Sequence, residues 1–380
     1  MAERLPSQNL PPWRRAVLKV GSNLLAADGG GLTPRYALAL SGFIAGSHAQ
    51  GRQVVLVSSG AVAAGRALLR ERAGDDLAAR QALAALGQAP MIALWQSLSA
   101  RPVAQVLLTH DDLRNRRRYL NARATLRELL QLDVLPVINE NDTVAVDELR
   151  LGDNDNLAAI VAALVDADLL LIASDVDALY SADPRRDGAA RPLARVEALN
   201  PEVLAMAGGS GSSAGTGGMR TKLKAASKAA AAGIPSAIFS GRDQVAVRAL
   251  GEDRLHGSLI LAAGSRLQAR KVWLRHAPAT GCIRVDAGAA AALRRRGASL
   301  LPGGVCAVEG SFRRGDVVEV LAHEAAGAVL ARGLAQYSAE EVRRIAGRRS
   351  GEIEDVLGFR YGEAVIHHDD LVLLESEDAT

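Results

Sequence analysis

A glycine-rich turn that ends in a lysine is the segment best suited to binding a phosphate group. Residues 215–222 read Gly-Thr-Gly-Gly-Met-Arg-Thr-Lys and lead into a helical pattern. Backbone N–H groups of such a turn can approach phosphate oxygens, and Lys222 supplies a positive charge for the phosphate. Residues 208–218 alone are also typical of a flexible linker. The turn therefore predicts a phosphate-binding site only if other motifs support it.

A second polar segment lies upstream, where Gly152-Asp153-Asn154-Asp155-Asn156 precedes an apolar helix. Two carboxylates and two carboxamides are too polar to bury without strong partners. Asp153 and Asp155 could form a metal pair, but Mg²⁺ that is held by nucleotide phosphates and water needs no protein cage. We therefore predict a polar orienting loop and assign no metal ligands. A nucleotide-binding turn together with such a loop indicates phosphoryl transfer.

Further polar residues recur at the ends of predicted strands. They are Lys19, Ser59, Asn139, Asp142, Ser174 and Asp175. Each has an ordinary explanation as a solvated side chain, a helix cap or a turn residue. In parallel sheets, however, ligands sit beyond the carboxyl ends of the strands. The recurrence therefore also fits a single pocket for polar ligands.

Strand-like and helix-like segments alternate through the first two thirds of the chain. The predicted strands are Ala16–Val20, Gln53–Val57, Val103–Leu108, Val134–Ile138, Leu169–Ala173 and Ser236–Phe239. The predicted helices are Pro34–Gln50, Ala61–Arg72, Asp76–Ala100, Asp112–Leu132, Asn156–Val165 and Met219–Ala232. This alternation predicts an α/β fold, with a mainly parallel sheet covered by helices on both faces.

The pattern changes after about residue 275, where short strands alternate with glycine turns and small helices. The predicted strands there are Ile283–Val285, Val305–Val308, Val317–Leu321, Ala328–Gln336 and Ala364–Ile366. We therefore predict a small β-rich module after the α/β domain. The domain limits are set at residues 14–268 and 277–374.

Composition indicates how the cores are built and where anionic ligands would bind. Of the 380 residues, 49% are hydrophobic and only 3% aromatic, so the cores must consist of aliphatic side chains. The sequence pI is about 9.0, but residues 277–380 hold 12 Lys and Arg against 16 Asp and Glu. The positive excess thus lies in the first part, where anionic substrates would bind, and RNA binding by the last part is disfavoured.

Other features exclude further classes. No apolar run reaches the ~18 residues of a membrane span, and residues 1–15 lack an apolar signal core, so we expect a cytoplasmic protein without membrane attachment. Cys282 and Cys306 lack Cys-x-x-Cys spacing; a disulfide between them is the alternative, but we expect two buried thiols in a reducing compartment. The seven histidines show no HExxH spacing, and His367-His368 is expected at the surface.

The ordered motifs resemble those of the amino acid kinase family. They are Val17–Ser22, Val57–Gly65, Val137–Asp142, Gly152–Asn156 and Gly215–Lys222. Near the end of the chain, Leu301–Val305 and Arg343–Gly347 resemble a PUA domain, so the resemblance spans about residues 14–374. It implies a three-layer sandwich followed by a PUA barrel. Asn23 departs from the family, which usually has serine there, and we expect an adjusted phosphate loop that remains active.

The resemblance also implies an activity and a set of site residues. The activity is ATP-dependent phosphorylation of the γ-carboxylate of L-glutamate to L-glutamyl 5-phosphate, the first step of proline biosynthesis. Lys19, Lys222 and Asp155 would be catalytic. Glutamate would be bound by Ser59, Asn139, Asp142 and Asn154. ATP would be bound by Lys19, Ser174, Asp175, Thr216, Gly217, Gly218, Met219, Arg220, Thr221 and Lys222.

Mg²⁺ would accompany the nucleotide, and no protein metal ligand is assigned. The resemblance further implies a homo-oligomer and proline as a feedback inhibitor. Alternative acceptors within the same fold are N-acetylglutamate, aspartate and nucleoside monophosphates, against which Asp142 and the PUA module argue. RNA binding through the PUA module is the alternative from a different class, and the charge of that segment disfavours it.

Overall fold

The structure is a computed structural model, and it divides the chain into two compact units, Met1–Arg266 and Leu267–Thr380. It describes residues 5–27, 30–69, 74, 76–145, 154–184, 186–206, 218–262, 264, 271, 274–295, 298–322 and 329–374. Each unit has its own hydrophobic core.

The first unit is built on one large sheet. Its strands and the shorter ones around it are β1 (Gln8–Asn9), β2 (Arg15–Val20), β3 (Gln53–Ser58), β4 (Val103–Leu108), β5 (Leu135–Glu140), β6 (Leu169–Ser174), β7 (Leu179–Tyr180), β8 (Pro192–Leu193), β9 (Arg195–Val196), β10 (Ser236–Ser240), β11 (Arg254–Leu255) and β12 (Gly257–Ile260). In the described residues the sheet has eight strands, in the order β4-β5-β3-β2-β6-β10-β12-β9. All neighbours in it are parallel except β10 and β12.

Helices cover both faces of this sheet. They are α1 (Ser22–Leu25), α2 (Ala37–Ala49), α3 (Ala61–Leu69), α4 (Leu77–Leu98), α5 (His110–Arg114), α6 (Arg116–Gln131), α7 (Asn154–Leu164), α8 (Pro201–Met206), α9 (Met219–Ala231) and α10 (Gln244–Leu250). Successive strand residues point to opposite faces, so Leu18 packs in the core under α2, α4 and α10, whereas Val17 packs under α6, α7 and α9. The predicted three-layer α/β fold is confirmed.

Two predicted elements differ in their limits from those in the structure. Asn115 divides the helix expected over residues 112–132, because its side chain accepts from the backbone N–H groups of Arg117 and Arg118 and thereby caps α6. The fourth predicted strand is longer than expected, since β5 includes Asn139 and Glu140. Both are polar, yet Asn139 is only 3% exposed. Hydrophobic periodicity gives no signal for such residues.

Helices α3 and α4 approach each other so closely that their backbones touch. A Cβ atom placed on Gly65 would lie 1.9 Å from the carbonyl oxygen of Leu83. One placed on Gly87 would lie 1.7 Å from the carbonyl oxygen of Ala61. Real Cβ atoms do not approach backbone this closely, so the two glycines permit the contact. Ala61 is the first residue of α3, directly after the turn that carries Ser59.

We expect Gly87→Ala to destabilise the protein by about 1–3 kcal/mol or more, because the helices must separate to admit the methyl group. Gly46→Ala is the matched control: Gly46 also lies within a helix, but a Cβ atom placed on it would meet nothing within 4 Å outside the backbone of that helix. That change should stabilise by about 0.5–1 kcal/mol, since alanine is the better helix former. Urea unfolding of both variants measures the difference. Equal free energies of unfolding for the two would contradict the close contact.

The second unit is a small β-rich domain. Its strands are β13 (Gly281–Val285), β14 (Val305–Gly310), β15 (Val317–Ala322), β16 (Val329–Leu334) and β17 (Leu371–Leu373), in the order β14-β13-β15-β16-β17. Its helices are α11 (Ala287–Arg294), α12 (Ala339–Ile345) and α13 (Ile353–Leu357), with 3-10 turns at Pro302–Gly304, Ser350–Glu352 and His368–Asp370. The predicted β-rich module is thus confirmed.

Two expectations about this unit are wrong. The segment 364–366 forms only an isolated bridge between Ile366 and Leu300, and the edge strand is β17 instead. The thiols are not buried: Cys306 is exposed and Cys282 is partly exposed, and both are free. Cys306 lies on β14, at the edge of the sheet opposite to β17, where side chains alternate toward solvent. In the described residues, no helix has the length and apolar content needed to cross a membrane.

Candidate active site

A buried carboxylate between two ammonium groups forms the centre of the site. Asp155 is 0% exposed, and its Oδ1 lies 2.5 Å from Lys19 Nζ. Its Oδ2 lies 3.2 Å from Lys222 Nζ and accepts a hydrogen bond from Thr221 Oγ1 at 2.8 Å. Each lysine is 5% exposed. The three side chains predicted as catalytic are therefore in direct contact.

Three separate elements bring these side chains together. Lys19 is on β2 near its carboxyl end, Asp155 is in the first turn of α7, and Lys222 is in the first turn of α9. Packing of α7 against α9 and β2 places all three in one cluster.

Charge keeps Asp155 ionised although it is buried. Burial by itself would raise the pKa of Asp155, because a charged group loses its hydration. The neighbouring Lys19 and Lys222 charges, with hydrogen bonds from Lys19 and Thr221, outweigh that cost and hold its pKa below the usual value. One anion between two cations leaves the cluster with an excess positive charge, which suits the binding of an anion.

The burial of Asp155 corrects one inference from the sequence. The sequence predicts a polar loop over residues 152–156, in which Asp155 could be replaced without affecting folding. In the structure Asn154 and Asp155 begin α7, and residues 152 and 153 lie outside the described part. The carboxylate is a structural counter-ion for two nearly buried lysines as well as a candidate catalytic group. Its replacement therefore has a folding cost that loop placement would not predict.

A second group of polar side chains meets at Asn154. Its Nδ2 donates to Ser59 Oγ at 2.8 Å and to Asn139 Oδ1 at 2.9 Å. Ser59 follows β3 and Asn139 is on β5, which is the neighbour of β3 in the sheet. Three of the four residues predicted to bind the acceptor substrate are thus joined by hydrogen bonds. Because Asn154 adjoins Asp155 in the chain, this group is next to the buried charge cluster.

Asp142 lies farther along the same sheet edge. It is in the turn that follows β5, where Asn141 N–H donates to the backbone oxygen of Leu108 on β4 at 2.9 Å. The side chain of Asp142 is partly exposed. The turn is thus anchored to the sheet.

Two of the residues predicted to bind the nucleotide, Ser174 and Asp175, are at the end of β6, which lies on the other side of β2 from β3. Ser174 ends β6, and its Oγ donates to Asp175 Oδ1 at 3.2 Å. Asn23 Nδ2 donates to Asp175 Oδ2 at 3.0 Å. Burial would raise the pKa of Asp175, but the bonds from Asn23, its own backbone and Ser174, with the charge of Arg242, hold it below its usual value. The position of Arg242 was not predicted, since nothing in the sequence links it to Asp175.

The glycine-rich turn is described only in its second half. Gly218 is the N-cap of α9 and is exposed, as is Arg220, and Met219 is partly exposed. Thr221 Oγ1 also contacts the backbone oxygen of Gly218 at 2.7 Å. Thr216 and Gly217 lie outside the described residues. The helix start presents backbone N–H groups beside Lys222, an arrangement suited to phosphate.

One cluster of metal-binding residue types occurs among the described residues, in the second unit. It consists of His367, His368 and Asp369. Their side chains are 43%, 44% and 47% exposed, and the three are consecutive in the chain. We assign no metal to them. In the first unit the charge cluster offers no open metal ligand, since both oxygens of Asp155 face cations.

Comparison with known proteins identifies the family of the chain. The model of the amino acid kinase family matches residues 14–240, and that of the PUA domain matches residues 281–357. The glutamate 5-kinase of Xanthomonas euvesicatoria pv. vesicatoria is 68% identical over 362 residues, covering 94% of this chain and all of the relative. That of Xylella fastidiosa strain M23 is 64% identical over 376 residues, covering 98% of each.

A solved structure, UMP kinase from Bacillus anthracis, is only 16% identical and covers 67% of this chain and 98% of its own, with a TM-score of 0.47. So weak a likeness bears on neither substrate nor site. The two family models and the curated relatives together cover nearly the whole chain. The chain therefore belongs to the amino acid kinase family and carries a C-terminal PUA domain.

Proposed function

We propose that this protein transfers the γ-phosphoryl group of ATP to the γ-carboxylate of L-glutamate and forms L-glutamyl 5-phosphate, the first step of proline biosynthesis. The observation that carries the proposal is the buried Lys19–Asp155–Lys222 cluster beside the group formed by Ser59, Asn139 and Asn154. The curated relatives at 64–68% identity are glutamate 5-kinases, which supports glutamate as the acceptor.

The reaction needs charge neutralisation more than proton transfer. A carboxylate is ionised at neutral pH, so no general base is required. An oxygen of the γ-carboxylate forms the new bond to the γ-phosphorus, while the bond to the β–γ bridging oxygen breaks and ADP leaves. The negative charge that spreads over the transferred group would be met by Lys19 and Lys222. The two anionic substrates repel each other, and the same lysines reduce that repulsion.

Asp155 acts on the lysines and not on the substrates. Two ammonium groups placed side by side repel each other. The carboxylate offsets this repulsion and holds Lys19 Nζ and Lys222 Nζ on its two oxygens. Both ammonium groups are thereby oriented before the substrates arrive, which lowers the reorganisation needed in the transition state.

The two substrates are assigned to opposite sides of β2. Ser59, Asn139, Asp142 and Asn154 bind glutamate on the side of β3 and β5. ATP lies on the side of β6, against Lys19, Ser174, Asp175 and the start of α9 from Gly218 to Lys222, and Thr216 and Gly217 are proposed to continue that contact. This arrangement places both lysines between the donor and the acceptor.

Mg²⁺ fits this site as an ion carried by the nucleotide. The buried carboxylate already faces two cations, so the charge cluster provides no cage for a metal. Nucleotide phosphates and water would supply the ligands. When bound, the ion neutralises phosphate charge together with the lysines.

A hydroxamate assay tests the proposed function most directly. Acyl phosphates react with hydroxylamine, so ATP-dependent hydroxamate should form with L-glutamate. The panel should also contain N-acetylglutamate and aspartate, and ADP release should be followed separately with nucleoside monophosphates. Preferential turnover of any of these over glutamate would overturn the assignment.

We further propose two domains, residues 14–268 for catalysis and residues 277–374 for the PUA module. None of the assigned site residues lies in the second unit, and Leu274 packs on Val317, Leu334 and Val372 within that unit. We therefore expect residues 1–268 alone to phosphorylate glutamate, with kcat within about tenfold of the full chain. The hydroxamate assay on both chains measures the ratio. A folded but inactive truncation would show that the second unit completes the site.

A further inference from the structure

A buried hydrogen-bond chain connects the core of α4 to the turn that carries Ser59. Trp95 on α4 is 1% exposed, and its indole Nε1–H donates to Ser58 Oγ at 2.8 Å. Ser58 ends β3 and is fully buried. Its hydroxyl donates in turn to the backbone oxygen of Ser59 at 3.2 Å. Neither Trp95 nor Ser58 belongs to the set of residues assigned to the substrates.

The donor and acceptor capacities of the indole and hydroxyl groups determine the direction of these hydrogen bonds. An indole N–H can only donate, whereas a hydroxyl has one proton and two acceptor sites. Trp95 therefore occupies an acceptor site of Ser58 and leaves the single hydroxyl proton for the carbonyl oxygen of Ser59. In a trans peptide the C=O and N–H bonds point in opposite directions. Holding the Ser59 carbonyl against Ser58 thus turns the N–H of Gly60 away from the buried indole.

The same turn is constrained from its other sides. Ser59 N–H donates to the backbone oxygen of Val20 on β2 at 3.1 Å. Asn154 Nδ2 donates to Ser59 Oγ at 2.8 Å. Gly60 has a φ of +107°, a conformation that residues with side chains rarely adopt. Glycine adopts this conformation without strain, so the neighbouring bonds, including the one from Trp95 through Ser58, select it from the conformations open to the turn.

We propose that Trp95 is a positioning residue for the acceptor substrate. Through Ser58 it fixes the Ser59–Gly60 peptide, so that Ser59 Oγ and the N–H of Gly60 are presented together to a carboxylate of the acceptor amino acid. Trp95 itself touches no substrate. This inference rests on the proposed function, because it takes Ser59 as an acceptor-binding residue.

Trp95→Phe removes the indole donor and retains an aromatic ring, and Ser58→Ala removes the relay. Trp13→Phe is a matched control. Trp13 is also buried, at 6% exposed, belongs to the same core cluster and donates its Nε1–H to Asp253 Oδ1 at 3.0 Å. Its partner Asp253 is bound by Arg52 and has no part in the assigned site. The control therefore loses the same kind of bond from the same core.

The measurements are the glutamate KM, the ATP KM and kcat for the full-length wild type, the three single variants and Trp95→Phe with Ser58→Ala. We expect Trp95→Phe and Ser58→Ala each to raise the glutamate KM about 5–30-fold, with the ATP KM and kcat within about twofold. The double variant should resemble the single ones, since both changes break one chain. Trp13→Phe should lower the thermal midpoint but leave the glutamate KM within about twofold.

The proposal fails if Trp95→Phe leaves the glutamate KM unchanged, raises both KM values alike, or behaves as Trp13→Phe does. Additive effects in the double variant would also contradict a single chain. If Trp95→Phe does not fold, Ser58→Ala alone decides, because it removes one hydroxyl. If the wild type prefers another acidic acceptor, the proposed function is wrong, and the same variants are then assayed with that acceptor.

Discussion

Lys222→Ala is expected to lower kcat for glutamate phosphorylation by about 10²-fold or more, because the ammonium meets charge that develops on the transferred phosphoryl group. Folding should be affected little, since Asp155 retains its contacts with Lys19 and Thr221. Lys228→Ala is the control: Lys228 is on the same helix but is exposed. Its kcat should stay within about twofold of the wild type. Near-normal turnover in Lys222→Ala would remove that lysine from the mechanism.

Asp155→Asn should lower kcat to a similar extent, but for two reasons: loss of the group that orients the lysines and loss of stability. It removes the negative charge that lies between the nearly buried Lys19 and Lys222, which costs about 3–5 kcal/mol. Thermal unfolding measured beside kcat separates the two effects. A variant that is as stable as the wild type would show that the carboxylate is not needed to keep the lysines buried.

Asp142→Ala is expected to raise the glutamate KM by about tenfold or more and to leave the ATP KM within about twofold. Its carboxylate, in the turn after β5, is proposed to bind the α-ammonium of glutamate through a charge-assisted hydrogen bond worth about 1.5–3 kcal/mol. Acetylation of that amine removes the charge that the carboxylate is proposed to bind. The wild type should therefore prefer glutamate over N-acetylglutamate by about 10²-fold or more in kcat/KM.

Thr143→Ala controls for distortion of the turn, since Thr143 is exposed and adjoins Asp142. It should leave both KM values near those of the wild type. An unchanged glutamate KM in Asp142→Ala, or equal use of N-acetylglutamate, would assign the ammonium to another group. Acetylated acceptors would then become the better candidates for the natural substrate.

Much of the fold could be predicted because the sheet is parallel and buried. The predicted strand Val103–Leu108 has the observed limits, and the predicted α9 ends within one residue of the observed one. Hydrophobic periodicity did not predict the end of an element that continues through polar residues, as β5 does through Asn139 and Glu140. It also did not predict the break at Asn115, where one helix ends and the side chain caps the next.

The site was less predictable than the fold. The sequence predicts a polar, catalytic Asp155, but the burial of Asp155 follows from contacts with Lys19 and Lys222, which are 136 and 67 residues away in the sequence. The bond from Trp95 to Ser58 spans 37 residues and joins a helix to a strand end. Only a folded chain brings such pairs together, and no local pattern encodes them.

The order of the strands also fixes how the enzyme can change its acceptor. Neighbouring strands lie about 4.8 Å apart, so the ends of β3 and β6 stand about 10 Å apart with β2 between them. In the proposed assignment, the acceptor and the nucleotide bind at separate positions along one edge of the sheet. Substitutions at the ends of β3 and β5 would then change the acceptor that is bound and leave the nucleotide-binding site unchanged. Such a sheet would allow new acceptor specificities to evolve without changes to the binding of the phosphoryl donor.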